Sequence, residues 1–183
     1  MNTFVLEDDT VRLEPLTLEN YHNLYGVAGE KDLVQYSSSD IDTPEKLKNY
    51  VETALYELKN KTAISFIVFD KRRKKYAGCT RYMNINYTNK VLEIGSTWIG
   101  KEFQETGLNT SMKCLMIDHA FDVMGFEKVE FRIDERNIRS RKAVEKLGST
   151  LEGILRKNVY LKNGYKRNTC CYGILKEEWK AQL

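Results

Sequence analysis

A switch in hydrophobic period near residue 63 constrains this chain more than any other feature of its sequence. Before the switch, apolar residues recur at helical steps. Residues 17–29 carry Leu18, Tyr21, Leu24, Tyr25 and Ala28 at that spacing, which predicts a helix. Thr43 followed by Pro44 supplies a cap and a proline at the first helical position. Leu47, Tyr50, Val51, Ala54, Leu55 and Leu58 then carry a second stripe to about residue 60. After the switch, residues 63–70, 76–87 and 91–99 are rich in Ile, Val, Phe, Tyr and Thr and are divided by short polar turns, the pattern of an antiparallel meander. Helical period returns with Leu108, Met112, Leu115, Met116, Ala120, Phe121 and Met124 and stops at Gly125. A strand over 128–134 follows, then a short helix over 138–147 with Asn137 as cap and Gly148 as stop. Residues 151–161 and 168–175 close the chain as a hairpin around Asn163-Gly164. A short strand over 10–16, alternating at Val11 and Leu13 and ending near Pro15, opens it. The predicted order is β-α-α-β-β-β-α-β-α-β-β, an α/β fold (α+β, mixed sheet).

At 183 residues, with 42% hydrophobic and 30% charged residues and only two prolines, the chain reads as one globular domain over 1–183, with neither linker nor repeat. A net charge of +3 is too near balance to indicate a nucleic-acid or membrane partner by itself. Residues 1–9 lack the basic start and apolar centre of a secretory signal, and the longest nearly apolar run, residues 63–69, is far short of the roughly 20 that span a bilayer. A cytoplasmic location without a membrane partner is expected. Cys79, Cys114, Cys170 and Cys171 form no C-x-x-C pair and no useful spacing with His22 or His119, so they read as small buried hydrophobes and no metal is expected.

Chemistry is best placed at Gln104-Glu105-Thr106-Gly107-Leu108-Asn109, between the strand ending in Trp98-Ile99-Gly100 and the next long helix. Unpaired N–H groups at a helix start attract anions, and Gly107 permits a backbone that turns several of them toward one phosphate. On that pattern alone, an ordinary strand-to-helix loop and a pyrophosphate cradle both stand.

The wider order of motifs is more specific. E-I-G-S-T-W-I from Glu93, Q-E-T-G-L-N, a helix, V-E-F-R-I-D-E-R-N, N-I-R-S-R-K-A-V-E-K-L-G-S and L-E-G-I-L-R together resemble the GCN5-related N-acetyltransferases (GNAT), in the branch that includes the bacterial acetyltransferases of ribosomal-protein N-termini. The likeness is dense from Glu93 to Trp179 and continues more loosely back to Val11-Arg12-Leu13. It implies the acyl-CoA N-acyltransferase fold and acetyl-CoA as cosubstrate. The pyrophosphate would lie on the backbone of Gln104, Glu105, Thr106, Gly107, Leu108, Asn109 and Thr110. The pantetheine arm would run beside Trp98 and Ile99, with Asn137 reaching it from the other side. Two departures are Glu105, where the branch usually has glycine, and Asn109, where the superfamily prefers glycine or alanine.

The resemblance also implies catalytic roles. The serine of Asn-x-x-Ser, here Ser140, is the proton donor to the departing thiolate, because Val144 occupies the position of other members' tyrosine. Helical spacing puts Ser140 with Val144 and Leu147 on a sheet-facing side. Two carboxylates compete as general base: Glu152, favoured by the branch, and Glu93 on the strand beside the acetyl group. Transfer would be direct, with a strand-edge N–H near Ile99 steadying the oxyanion. Cys114 as an acyl carrier is the rival route, blunted by its apolar stripe.

A neutral amine must attack. With side-chain values near 10.4 for lysine and about 8 for an α-amino group, the neutral fractions at pH 7 are about one in 2,500 and about one in ten. A weak or water-relayed base therefore suits a protein N-terminus or a low-pKa small amine. Residues 30–42, with Asp32, Asp40 and Asp42, and the final hairpin with Tyr160 and Tyr165, are the candidate acceptor walls. Lys71-Arg72-Arg73-Lys74-Lys75 reads either as a solvated, edge-protecting hairpin turn or as a contact for RNA or an acidic protein. Expected partners are acetyl-CoA and an amine acceptor, with the ribosome and a second copy in a homodimer as further candidates. A non-catalytic CoA- or RNA-binding relative of the same fold is the alternative function.

Overall fold

The computed structural model describes residues 4–181 as β1 (Leu6–Glu7), β2 (Val11–Pro15), α1 (Tyr25–Ala28), α2 (Pro44–Lys59), β3 (Ile64–Asp70), β4 (Lys75–Asn86), β5 (Val91–Ile99), α3 (Leu108–Asp118), β6 (Lys128–Asp134), α4 (Ile138–Glu145), β7 (Thr150–Tyr160), β8 (Lys166–Leu175) and α5 (Lys176–Lys180). Among these residues the strands make one sheet in the order β1-β2-β3-β4-β5-β6-β8-β7. The β5–β6 pair is parallel and the other neighbours are antiparallel. The expected readings of residues 1–3 and 182–183 lie outside the described residues.

α2 forms as the sequence predicts. Thr43 Oγ1 accepts the Lys46 N–H, Pro44 sits in the first turn, and Leu47, Val51 and Ala54 are buried against the sheet. The helix expected over 17–29 is cut down to a 3-10 turn at Tyr21–Leu24 followed by α1. Asn20 is the reason: its side chain accepts from Thr17 N and donates to the Pro15 carbonyl, holding these residues in a turn that competes with helix. The long central helix is α-helical only to Asp118 and widens into a π turn at His119–Val123. Two elements were not anticipated, the two-residue β1 and α5. In α5 the Glu178 carboxylate accepts the Leu175 N–H, and Trp179 packs into the core with its Nε1 donating to Asp118.

The sheet separates two cores. On one face Leu92, Ile94 and Phe131 pack with Met112 and Met116 of α3 and Val144 of α4; on the other Ile67, Cys79 and Trp98 pack with Leu24, Val51 and Ala54. Strict alternation would not put Ile94 and Ile99 in the same core. They share it because β5 carries a bulge: Cys79 opposes Trp98 while Arg81 opposes Gly95, one extra residue on β5, and Ser96 takes φ 45°. The bulge requires close approach of β4, and a Cβ at Gly78 would stand 2.0 Å from the Trp98 carbonyl oxygen, so only glycine fits.

Candidate active site

β5 and β6 pair only at Val91↔Lys128, Leu92↔Val129 and Glu93↔Glu130. Beyond Glu93 the strands part, and the wedge opens into a cavity of about 490 Å³ between residues 94–99 of β5 and 131–134 of β6. Two strand edges thereby face a cavity without ladder partners, a site ready to pair with the amides of an extended ligand.

α3 points its N-terminus at this wedge. Its cap residue, Gly107, adopts φ 86°, and no side chain caps the helix. Ser111 N bonds the Gly107 carbonyl and Leu108 N the Thr106 hydroxyl, whereas the N–H groups of Gly107, Asn109 and Thr110 find no acceptor among the described residues. Unsatisfied donors at the positive end of a helix dipole make an anion site.

The expected site residues divide by what their polar groups do. Gly107, Asn109 and Thr110 line the cavity and offer backbone N–H groups. Leu108 is fully buried, and Thr106 turns its hydroxyl back to the Phe103 carbonyl, so both shape the loop from within. Gln104 is a clamp: Nε2 donates to the Ile99 carbonyl at 2.8 Å, and Oε1 accepts from Arg139 of α4 across the cleft. Glu105 is exposed on the lip with φ 62°, a left-handed conformation that favours glycine. Trp98 and Ile99 face the cavity along the β5 edge, but the Trp98 ring points away, into the α2 side against Tyr50. Asn137 caps α4 by accepting Ser140 N at 3.2 Å, and both residues line the wall opposite β5.

The two carboxylates part company. Glu152 lies outside the cavity on the edge strand β7, its side chain 39% exposed and paired with Lys128 at 2.8 Å. Glu93 does not line the cavity either; it is 5% exposed at the last β5–β6 pair, the apex of the wedge, where Asn84 Nδ2 donates to it at 2.8 Å and Arg132 lies 3.5 Å away. Burial raises its pKa, opposed by Asn84 and Arg132. Cys114 does not line the cavity, and burial raises its thiol pKa. Among the described residues no cluster of His, Cys, Asp or Glu is arranged to hold a metal ion.

Two residues, Lys113 and Arg167, escaped the sequence reading, and the basic run takes a different place from the one expected. Lys113 of α3, 4% exposed, reaches the cavity floor. Its signal was present as a charge at position 113 on the apolar stripe that carries Met116 and Ile117. Arg167 of β8 lines the opposite end, with Nη1 donating to the Tyr36 carbonyl and Nε to Thr169, and burial lowers its pKa. The basic run is no edge guard, because β3 and β4 are interior strands. Its side chains turn to the chain itself: Arg72 donates to the Thr106 carbonyl at 3.1 Å, Lys75 meets Glu102, Lys71 meets Glu7, and Arg73 meets Asp70.

An open strand edge beside an uncapped helix N-terminus is the geometry that the sequence likeness implies, and residues 10–150 match the family model described as an acetyltransferase (GNAT) domain. The chain belongs to the GNAT acetyltransferase family. A protein of Bacillus subtilis named as a candidate ribosomal N-acetyltransferase, YdaF, is 32% identical over 54% of this chain and 53% of its own length, so the match spans about half of that relative. The spermidine N(1)-acetyltransferase of Escherichia coli K12 is 25% identical over 94% of this chain and 90% of its own. Among solved structures, a GCN5-related N-acetyltransferase from Brucella melitensis superposes with a TM-score of 0.89 at 29% identity, covering 99% of this chain and 82% of that one. Membership makes this GNAT chain an acetyltransferase, with acetyl-CoA as the family's acetyl donor. Its residues suit that donor: free N–H groups at α3 for phosphate oxygens, Arg139, Lys142 and Lys146 on the facing wall for charge, and an open β5 edge for amides. No helix among the described residues is long and apolar enough to cross a membrane.

Proposed function

We propose that this enzyme acetylates an α-amine at a protein or peptide N-terminus, in preference to a polyamine. The observation that carries the reading is the charge of the acceptor end. Of the three aspartates expected to draw in a cation, Asp40 is spent on Lys46 and Lys162 and Asp42 on Lys46, and only Asp32 lines the cavity. Asp134 is held by Arg136 at 2.7 Å. Arg132 is matched by Glu93 and Glu130, whereas Arg167, which also lines the cavity, has no carboxylate within salt-bridge distance among the described residues. A peptide end offers carbonyl or carboxylate oxygens to the remaining N–H donors of Arg167, which a polyamine cannot match and whose charge it would meet.

The donor supplies an activated acetyl thioester. The chain's own groups do the rest: the α3 N-terminus holds the phosphates, the open β5 edge orients the arm and the acetyl carbonyl, and Glu93 removes the proton of the attacking amine through water. Ser140 faces the cavity from α4, where its hydroxyl can hydrogen-bond the sulfur. A relayed carboxylate suits an α-amine, a fair share of which is already neutral at pH 7.

A thiol-release assay with acetyl-CoA over an amine panel tests this. Peptides with free N-termini are expected to turn over, the same peptides blocked at the N-terminus to be silent, and spermidine to be poorer by about tenfold or more in kcat/KM. Spermidine as the best acceptor, or equal turnover of blocked lysine-bearing peptides, would overturn the assignment.

A further inference from the structure

Lys113 is the cavity residue for which the mechanism above has no task. It projects from α3 under β5, where its Nζ donates to Thr97 Oγ1 at 2.6 Å and to Thr80 Oγ1 of β4 at 3.3 Å, the two hydroxyls lying 2.8 Å apart. An ammonium has three N–H donors, and the third finds no acceptor among the described residues. No carboxylate pairs with it there. Its neighbours on the stripe are Met112, Met116 and Ile117, so an apolar side chain would fill the same space without the cost of burying a charge. A cation kept in such a place suits negative charge that develops beside it.

The thioester end of the donor, neutral when it binds, is where such charge develops, on sulfur as the C–S bond breaks. Thr97 belongs to the bulged stretch of β5 whose open edge takes the arm, and Lys113 lines the cavity directly beneath it. Burial pulls the Lys113 pKa down to about 7, and Cys79 of β4, itself pushed up by burial, is the titratable group whose charge bears on it. From β5 and β4 the groups facing it are the two threonine hydroxyls. Ser140 and Val144 of α4 and Phe131 of β6 complete the walls on this face, and the charged groups that residues 138–146 add to the cavity are Arg139, Lys142 and Lys146. Alternation along the strands sends Glu93, Arg132 and Asp134 to the opposite face.

We propose that Lys113 delivers the proton to the sulfur of CoA as the thioester is cut, with Thr80 and Thr97 fixing its Nζ beneath β5. The inference rests on the acetyl-CoA reading above. The acceptor nitrogen's lone pair forms the N–C bond, the C–S bond breaks with its electron pair going to sulfur, and sulfur takes a proton from the Lys113 ammonium. The proton shed by the acceptor nitrogen balances the count, so no further reactant is required. An ammonium is a far stronger acid than a serine hydroxyl, which leaves Ser140 to orient the sulfur.

The test compares wild type with Lys113→Met and with Lys113→Gln, which keeps a donor for the threonines but carries no transferable proton. CoA binding is first verified by its shift of the melting temperature. The thiol of bound CoA is then titrated by its ultraviolet thiolate absorbance, and it is expected to ionise about one pH unit or more higher in both variants. With acetyl-CoA and a free-N-terminal peptide, kcat should fall about 100-fold with little change in the KM for acetyl-CoA, and the alkaline limb of the kcat profile should disappear. An unchanged thiol titration and pH profile would make Lys113 a structural lysine and overturn the proposal. An acetyl group found on Lys113 by peptide mass analysis would overturn it too, making the lysine an acceptor. If wild type fails to bind CoA, the acetyl-CoA reading falls and takes this one with it; failure in the variants alone leaves that reading standing and refutes the proton-donor role.

Discussion

Replacing Lys113 by Met in the ligand-free protein removes a buried ammonium and leaves an unbranched apolar chain in its place. In the folded protein the ammonium loses its proton at about 7, against 10.5 for an unperturbed lysine. Between those values the unfolded chain holds one more proton than the folded one, so wild-type stability rises with pH, by about 1.4 kcal/mol per unit at full slope. Below about pH 7 both states are protonated and the whole penalty of the buried charge is present. Wild type should therefore gain about 2.5 kcal/mol between about pH 6 and about pH 9 from this group, and the Met variant should gain nothing from it. Urea denaturation of both proteins at the two pH values, with matched m-values, measures the difference. The variant is expected to be the more stable at the acid end and its lead to shrink by that amount at the alkaline end. A lead constant to within about 0.5 kcal/mol across the range would show that no desolvated ammonium sits at this position, and the electrostatic reasoning would fail.

Gly78→Ala should destabilise the fold by more than about 3 kcal/mol, read as a fall in melting temperature, because its Cβ would stand 2.0 Å from a backbone oxygen that has no room to move. Glu105→Gly relieves a left-handed residue at φ 62° and removes a carboxylate from the phosphate loop; the KM for acetyl-CoA should fall several-fold at low salt and less at high salt. Glu93→Gln should lower kcat about 100-fold while Glu152→Gln stays within about twofold, since the first lies at the apex of the wedge and the second is a surface partner of Lys128. Equal losses in the two would return Glu152 to the chemistry.

The residues that could be read without coordinates share a local cause. α2 was visible because Thr43, Pro44 and the stripe from Leu47 to Ala54 act within a few residues of one another. The uncapped start of α3 was visible for the same reason, as Gly107 sets its own backbone and the helix that follows exposes its own N–H groups. What stayed hidden involves partners distant in sequence. The ion pair of Glu152 with Lys128 could be found only once β7 lay at the sheet edge. The run from Lys71 to Lys75 looked like an edge guard until β3 and β4 fell in the interior, with Arg72 against Thr106.

What the amino-acid order alone determined is the succession of most strands and helices, the glycine turn that starts α3 and the family to which the motifs point, since period, capping and glycine geometry act over a turn or two of chain. Only the tertiary structure decided which groups share the cavity. The parting of β5 from β6 after Glu93, and the bulge that keeps Ile94 and Ile99 in one core, depend on register between strands. The bonds from Lys113 to Thr80 and Thr97 join residues that meet only when α3 packs on β4 and β5, so the charge on the stripe could be seen in the sequence while its partners could not.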